Sequence, residues 1–218
     1  YQLIETEDDA RKLFDFFVTK QILSLDTETT SVNPIDAELV GLSFSVEEGK
    51  AFYVAIPAER EKAERIVNIF KPLYESDKIL KIGQNIKYDM EVLMNYGVRL
   101  AAPMFDTMLA HYVLQPEQKH NMDILAETLL GYQTIHIDEL IGPKGKTQKN
   151  MRDLPPAAIC DYAAEDADVT LRLYNALKPR LKEAEVDDLF YNIEMPLVPV
   201  LAEMEMNGVR LDTNALAD

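Results

Sequence analysis

The stretch ILSLDTETTSV, residues 22–32, ends an apolar run on two carboxylates, Asp26 and Glu28, set two positions apart. Ile22, Leu23 and Leu25 are strand formers, and side chains alternate across a strand. Asp26 and Glu28 therefore share one face, with Leu25 and Thr27 on the other. Two carboxylates held that close in a partly dry site repel each other and stay ionised only beside a positive charge. An exposed turn just past the strand is the chemically silent alternative, and the pair alone leaves both open.

Two more acids interrupt apolar helical faces. In residues 85–97 the apolar side runs Ile86, Met90, Leu93, and Asp89 falls on or beside it. In residues 159–177 it runs Ile159, Tyr162, Val169, Leu173, Leu177, with Asp166 in its middle. Asp161, Glu165 and Asp168, with Arg172, trace the opposite side, expected to be solvated. An Asp inside an apolar stripe needs a partner. Four inward carboxylates with no matching Lys or Arg motif suit hard divalent cations bound through oxygen, Mg²⁺ or Mn²⁺. Two such ions about 3.5–4 Å apart activate water on one side of a phosphodiester and stabilise the leaving oxygen on the other. Tyr162, one helical turn before Asp166, projects to the same place, a plain core aromatic being the alternative. His111, His120, His136 and the single Cys160 offer neither a structural zinc cluster nor a nucleophile. The histidines read as ordinary surface or loop residues.

These residues need a frame. Strand patterns cover 22–27, 38–46 and 50–56, the last two joined by Glu47-Glu48-Gly49, so the three are expected as antiparallel neighbours. Helical patterns cover 7–18, 64–76, 85–97 with Asn85 as N-cap, 106–114 and 121–130, and a short strand is expected at 78–83. Residues 142–156 form a polar, flexible loop with Lys144, Lys146, Lys149 and Arg152, expected to touch a phosphate backbone. A long helix starts near Pro155 and runs to about residue 178, and a new helical unit opens near 186.

The chain has 218 residues, 47% of them hydrophobic, enough for one sizeable domain or a domain and a piece of another. A net charge of −16 argues against gripping nucleic acid mainly by phosphate neutralisation. No secretory signal or bilayer-length apolar run is visible, which predicts a soluble intracellular protein. The start at Tyr1 and the unfinished pattern at Asp218 predict a segment of a longer chain.

The motifs DTET at 26–29, GQNIKYDMEVL at 83–93 and YAAEDADVTLRLY at 162–174 resemble those of the DEDDy proofreading exonucleases, specifically the 3′→5′ exonuclease domain of the bacterial DNA polymerase I family. FDTML, KHNMDILAE, GPKGKTQ and NIEMPLVPVLAEMEMNGVRLD extend the likeness over nearly the whole chain. The resemblance implies an α/β ribonuclease H-like fold, a central mixed sheet of about five strands flanked by helices. It implies an exonuclease domain at 1–185 and the start of a polymerase domain at 186–218.

The resemblance also assigns Asp26, Glu28 and Asp166 to one metal, Asp26 and Asp89 to a second, and Tyr162 with Glu28 to the attacking water. The ions would be Mg²⁺, with Mn²⁺ or Zn²⁺ as alternatives. Thr27, Gln84, Asn85 and Tyr88 fall near the terminal nucleotides, and Val32 and Met151 stand where many relatives carry Leu and Phe. The implied reaction is release of nucleoside 5′-monophosphates from the 3′ end of single-stranded or frayed DNA. The implied setting is a monomer, in cis with a polymerase, in the bacterial cytoplasm at the nucleoid and away from membranes. An exoribonuclease and a catalytically silent module are the competing readings.

Overall fold

The computed structural model describes residues 1–145 and 147–216, and the strand bearing Asp26 and Glu28 lies in the middle of its sheet. This strand, β2 (Ile22–Thr29), follows β1 (Gln2–Ile4) and α1 (Glu7–Phe17). It pairs antiparallel with β3 (Leu39–Glu47), which pairs antiparallel with β4 (Lys50–Ala55). After α2 (Arg60–Tyr74), β5 (Leu80–Gly83) returns parallel to β2 on its other side. The helix α3 (Ile86–Met94) leads to β6 (Met104–Asp106), parallel to β5, while β1 lies parallel to β4 at the opposite edge. The mixed sheet has six strands in the order β1-β4-β3-β2-β5-β6. The edge strands span three residues each, too few to show an alternation.

The chain continues through α4 (Thr107–Leu114), α5 (Met122–Leu125) with a π-helical turn at Ala126–Leu130, and α6 (Ile137–Ile141). Then come α7 (Pro156–Glu183), α8 (Asp187–Leu189), a second π turn (Phe190–Glu194) and α9 (Met195–Asn207). Ring packing of Phe190 on Phe105, 4.8 Å between centroids, holds this last unit to β6. No helix among the described residues is long and apolar enough to cross a membrane.

The two sheet faces are filled differently. Leu25 and Phe44, register partners, point to the face where Phe17, Phe70 and Tyr74 pack, with Phe44 and Phe70 centroids 5.0 Å apart. The other face is mostly small: Ser24, Ser43, Ser45 and Gly41 line it beside Tyr53, and α7 crosses it presenting Ala163, Ala164 and Ala167. A Cβ on Gly41 would strike the Tyr53 ring. Small residues on both surfaces let a carboxylate-bearing helix lie against a carboxylate-bearing strand.

Tertiary packing overturns the expectations for four residues. Asp168 is fully buried rather than solvated, accepting from the Tyr1 hydroxyl at 2.8 Å, the Gly49 N–H at 2.7 Å and Arg172 at 2.6 Å. Glu165 is buried too, receiving the Tyr132 hydroxyl at 2.5 Å and the Ile135 N–H at 2.6 Å. Both stand on the side of α7 away from the apolar stripe, where distant segments wrap the helix. His111 is likewise buried, its Nδ1 2.7 Å from that of His120. In the loop, Arg152 turns inward and donates to the carbonyls of Ile56, at 2.6 Å, and Leu39. Of the other loop cations, Lys144 and Lys149 are exposed and Lys146 lies outside the described residues.

Candidate active site

Asp26 and Glu28 from β2 and Asp166 from α7 converge so that one carboxylate oxygen from each lies within 4.8 Å of the others. The strand ladder is irregular here: Glu28 faces Gly41 but Thr29 faces Leu39, leaving Val40 as an extra residue in β3. Such a bulge bends the strand and re-aims side chains. One oxygen of Glu28 is buried without a hydrogen-bond partner. Burial pushes Asp26 up to about 7. Burial and then the Asp26 charge hold Glu28 and Asp166 well above the usual carboxylate range.

Among the described residues, no Lys or Arg forms an ion pair with any of these acids. An all-oxygen donor set with an orphaned oxygen and no cationic side chain fits a divalent cation. Burial first, then Asp166, Glu28 and Asp26, raise the Tyr162 phenol, keeping it a protonated donor at neutral pH.

Asp89 stands apart from the three. It is buried on α3, and its Oδ1 receives the Thr27 hydroxyl at 2.6 Å, on the opposite face of β2 from Asp26 and Glu28. Burial and then Asp26 push its carboxyl well up. Asn85 occupies the N-cap position of α3 with φ +62°, but its side chain makes no capping bond. Asp106 caps the helix instead, through the N–H groups of Asn85 and Ile86.

A groove of about 530 Å³ opens beside Glu28, lined by residues 27–32, Asn85, Tyr88, Ile137, Ile141 and Lys149. The Tyr88 hydroxyl is anchored to Thr29 and to the Ser31 carbonyl, each at 2.5 Å. Val32 is 96% exposed at the groove's mouth. Met151 reaches the groove but is only 4% exposed and packs in the core with Val40 and Ile159. Gln84 is not among the lining residues: its amide donates to the His120 carbonyl at 2.7 Å and it bonds the Thr107 hydroxyl. Sequence reasoning missed Ile137 and Ile141, whose i, i+4 spacing spans a helix too short to carry a visible period.

Residues 1–182 match the family model described as 3′-5′ exonuclease. DNA polymerase I of Pseudomonas aeruginosa is 40% identical over 218 residues, which cover 93% of this chain and 24% of that protein. The chain thus spans about a quarter of that relative. Among solved structures, the POL domain of Pol1 from M. smegmatis, in complex with DNA primer-template and dNTP, superposes with a TM-score of 0.77 at 18% identity, covering 99% of this chain and 34% of that one. Brucella melitensis NrnC superposes with a TM-score of 0.72 at 21% identity, covering 95% and 92%. At these identities the two structures are matches of fold.

Proposed function

The chain belongs to the 3′-5′ exonuclease domain family of family A DNA polymerases, and on that footing we propose that it removes nucleoside 5′-monophosphates from the 3′ end of single-stranded or frayed DNA. The observation that carries this reading is the convergence of Asp26, Glu28 and Asp166 within 4.8 Å, an unpartnered Glu28 oxygen among them, with Glu28 itself lining an open groove.

Two divalent cations, Mg²⁺ or alternatively Mn²⁺ or Zn²⁺, would be held by Asp26, Glu28 and Asp166 and by Asp26 with Asp89. When bound they supply a nucleophilic water at neutral pH and charge to stabilise the leaving oxygen. Glu28 accepts from the attacking water and the Tyr162 hydroxyl orients it. Asn85 and the anchored Tyr88 hold the terminal sugar and phosphate. Val32, with Ile137 in the same groove, gives the terminal base an apolar wall, which Met151 supports from beneath. Thr27 acts through Asp89, and Gln84 steadies the turn before α3. Lys149 meets the phosphate backbone.

In this reading residues 1–185 are the exonuclease domain and 186–218 begin the polymerase domain. The whole works as a monomer in the bacterial cytoplasm, at the nucleoid, editing primer ends in cis.

The test follows a 5′-labelled single strand. Stepwise shortening from the 3′ end with release of nucleoside 5′-monophosphates is expected, lost with chelator and in Asp166→Asn. Digestion that persists in excess chelator overturns the metal-dependent reading. Equal rates on matched and mismatched duplex ends exclude editing, and faster digestion of RNA than of DNA of equal length transfers the site to the ribonuclease reading.

A further inference from the structure

Asp106 stands at the end of β6, and in parallel register its partner on β5 is Gly83. The two strands deliver their C-terminal ends side by side, so the starts of α3 and α4 meet. Asp106 lies between them, 1% exposed. Its Oδ2 accepts from the Ile86 N–H at 2.9 Å. Its Oδ1 accepts from Asn85 at 3.2 Å, Met108 at 2.8 Å and Leu109 at 3.2 Å. One carboxylate therefore closes two helices, and the positive ends of both helix dipoles converge on it.

For α4 this is an ordinary N-cap made by the preceding residue. For α3 it is not: the cap comes from 20 residues further along the chain, because Asn85 sits in the left-handed region and makes no capping bond. The Thr107 hydroxyl adds a second tie, bonded to the Gln84 side chain and 3.1 Å from the Gly83 carbonyl. The first turn of α3 presents Asn85 and Tyr88 to the groove and ends at Asp89. A shift of that turn moves all three together.

We propose that Asp106 is a positioning residue for the exonuclease reaction, its buried carboxylate holding the N-terminal turn of α3 against that of α4 and thereby setting Asn85, Tyr88 and Asp89. This rests on the site reading given above. It explains the placement of an acid where no substrate reaches: a neutral cap could serve α4 alone, whereas two helix ends with four donors call for a charged acceptor with two oxygens.

Asp106→Ser separates the two duties. Serine at this position keeps a short cap for α4 but cannot span to α3. The variant is expected to fold, with the Met108 and Leu109 amides still protected from hydrogen exchange and the Asn85 and Ile86 amides exchanging at least tenfold faster. Its Mn²⁺ affinity, titrated calorimetrically without DNA, should weaken severalfold, and kcat should fall at least tenfold. A core variant matched for thermal stability, Phe70→Leu on α2, should leave Mn²⁺ affinity within twofold.

Asp106→Ser with Mn²⁺ affinity and kcat both within twofold of the parent overturns the inference. If Asp89→Asn also leaves Mn²⁺ affinity unchanged, the site reading itself fails. If Asp89→Asn loses affinity while Asp106→Ser does not, only the positioning role fails. Should Asp106→Ser not fold, exchange in the parent protein decides. Protection of Asn85 and Ile86 equal to that of Met108 and Leu109 supports a shared cap, and exchange of the first pair by an independent, faster opening overturns it.

Discussion

The Thr27 hydroxyl donates to Asp89 at 2.6 Å, although both chain neighbours of Thr27 that carry acids, Asp26 and Glu28, face the other side of the sheet. Strand β2 thus reaches the site with three consecutive side chains, two directly and one through α3. Thr27→Val removes the donor and leaves a buried carboxylate oxygen unpaired, worth about 1–3 kcal/mol. We expect kcat to drop roughly tenfold in Thr27→Val, about 1.4 kcal/mol of barrier, and to be largely retained in Thr27→Ser. Equal rates for the two variants would show that the hydroxyl does not act through Asp89.

Asp166 and Asp168 differ by function and not by burial. Asp166→Asn keeps the shape and removes charge from a cluster of like charges, so hydrolysis should be nearly abolished with the fold intact. Asp168→Asn leaves Tyr1, Gly49 and Arg172 with a poorer acceptor, and about 1–3 kcal/mol of stability should be lost. Urea unfolding paired with kcat measurement checks both. A fully stable Asp168→Asn protein would contradict the bonding described.

Stability should depend on pH in a direction opposite to that of salt-bridged acids. Burial raises Asp26 to about 7 and the other three site carboxyls well up, while in the unfolded chain they ionise near pH 4. Between those values the folded state holds more protons than the unfolded one, so metal-free stability falls as pH rises through the window. Cations favour the ionised form. The melting temperature in chelator should be lower at about pH 8 than at about pH 5, and Mg²⁺ should raise it more at the higher pH. A Mg²⁺ shift independent of pH would argue against binding at these acids.

Arg152 and Lys149 should separate when salt is varied. Arg152 is bonded to the Leu39 and Ile56 carbonyls, so Arg152→Ala should destabilise the fold and leave the salt slope of DNA binding unchanged. Lys149 lines the groove, and Lys149→Ala should reduce that slope by about 1. The reverse pattern would place Arg152 on the DNA.

The groove's apolar residues should divide by burial. Met151→Ala empties core volume and should cost about 2–5 kcal/mol. Val32→Ala and Ile137→Ala should leave stability within about 0.5 kcal/mol while raising KM for single strands. Unchanged KM in both would remove the apolar wall from the proposed site.

Short-range order was legible in the sequence because it depends on periodicity alone. Alternation along residues 22–28 placed Asp26 and Glu28 on one face, the helical stripe from Ile159 to Leu177 turned Asp166 and Tyr162 the same way, and the Glu47-Glu48-Gly49 turn set β3 beside β4. Periodicity reports one contact surface per element, however, and is silent about a second. Whether Glu165 and Asp168 meet water was decided by Tyr132, Ile135, Tyr1 and Gly49, segments far away in the chain that close over the back of α7. In the same way Arg152 looked like a free loop cation until the carbonyls of β3 and of the segment after β4 received it, and Asn85 looked like the cap of α3 until the pairing of β5 with β6 brought Asp106 to that place. Hydrogen-bond and charge satisfaction across such distances depends on which chain ends the sheet lays side by side, and only the tertiary structure specifies that.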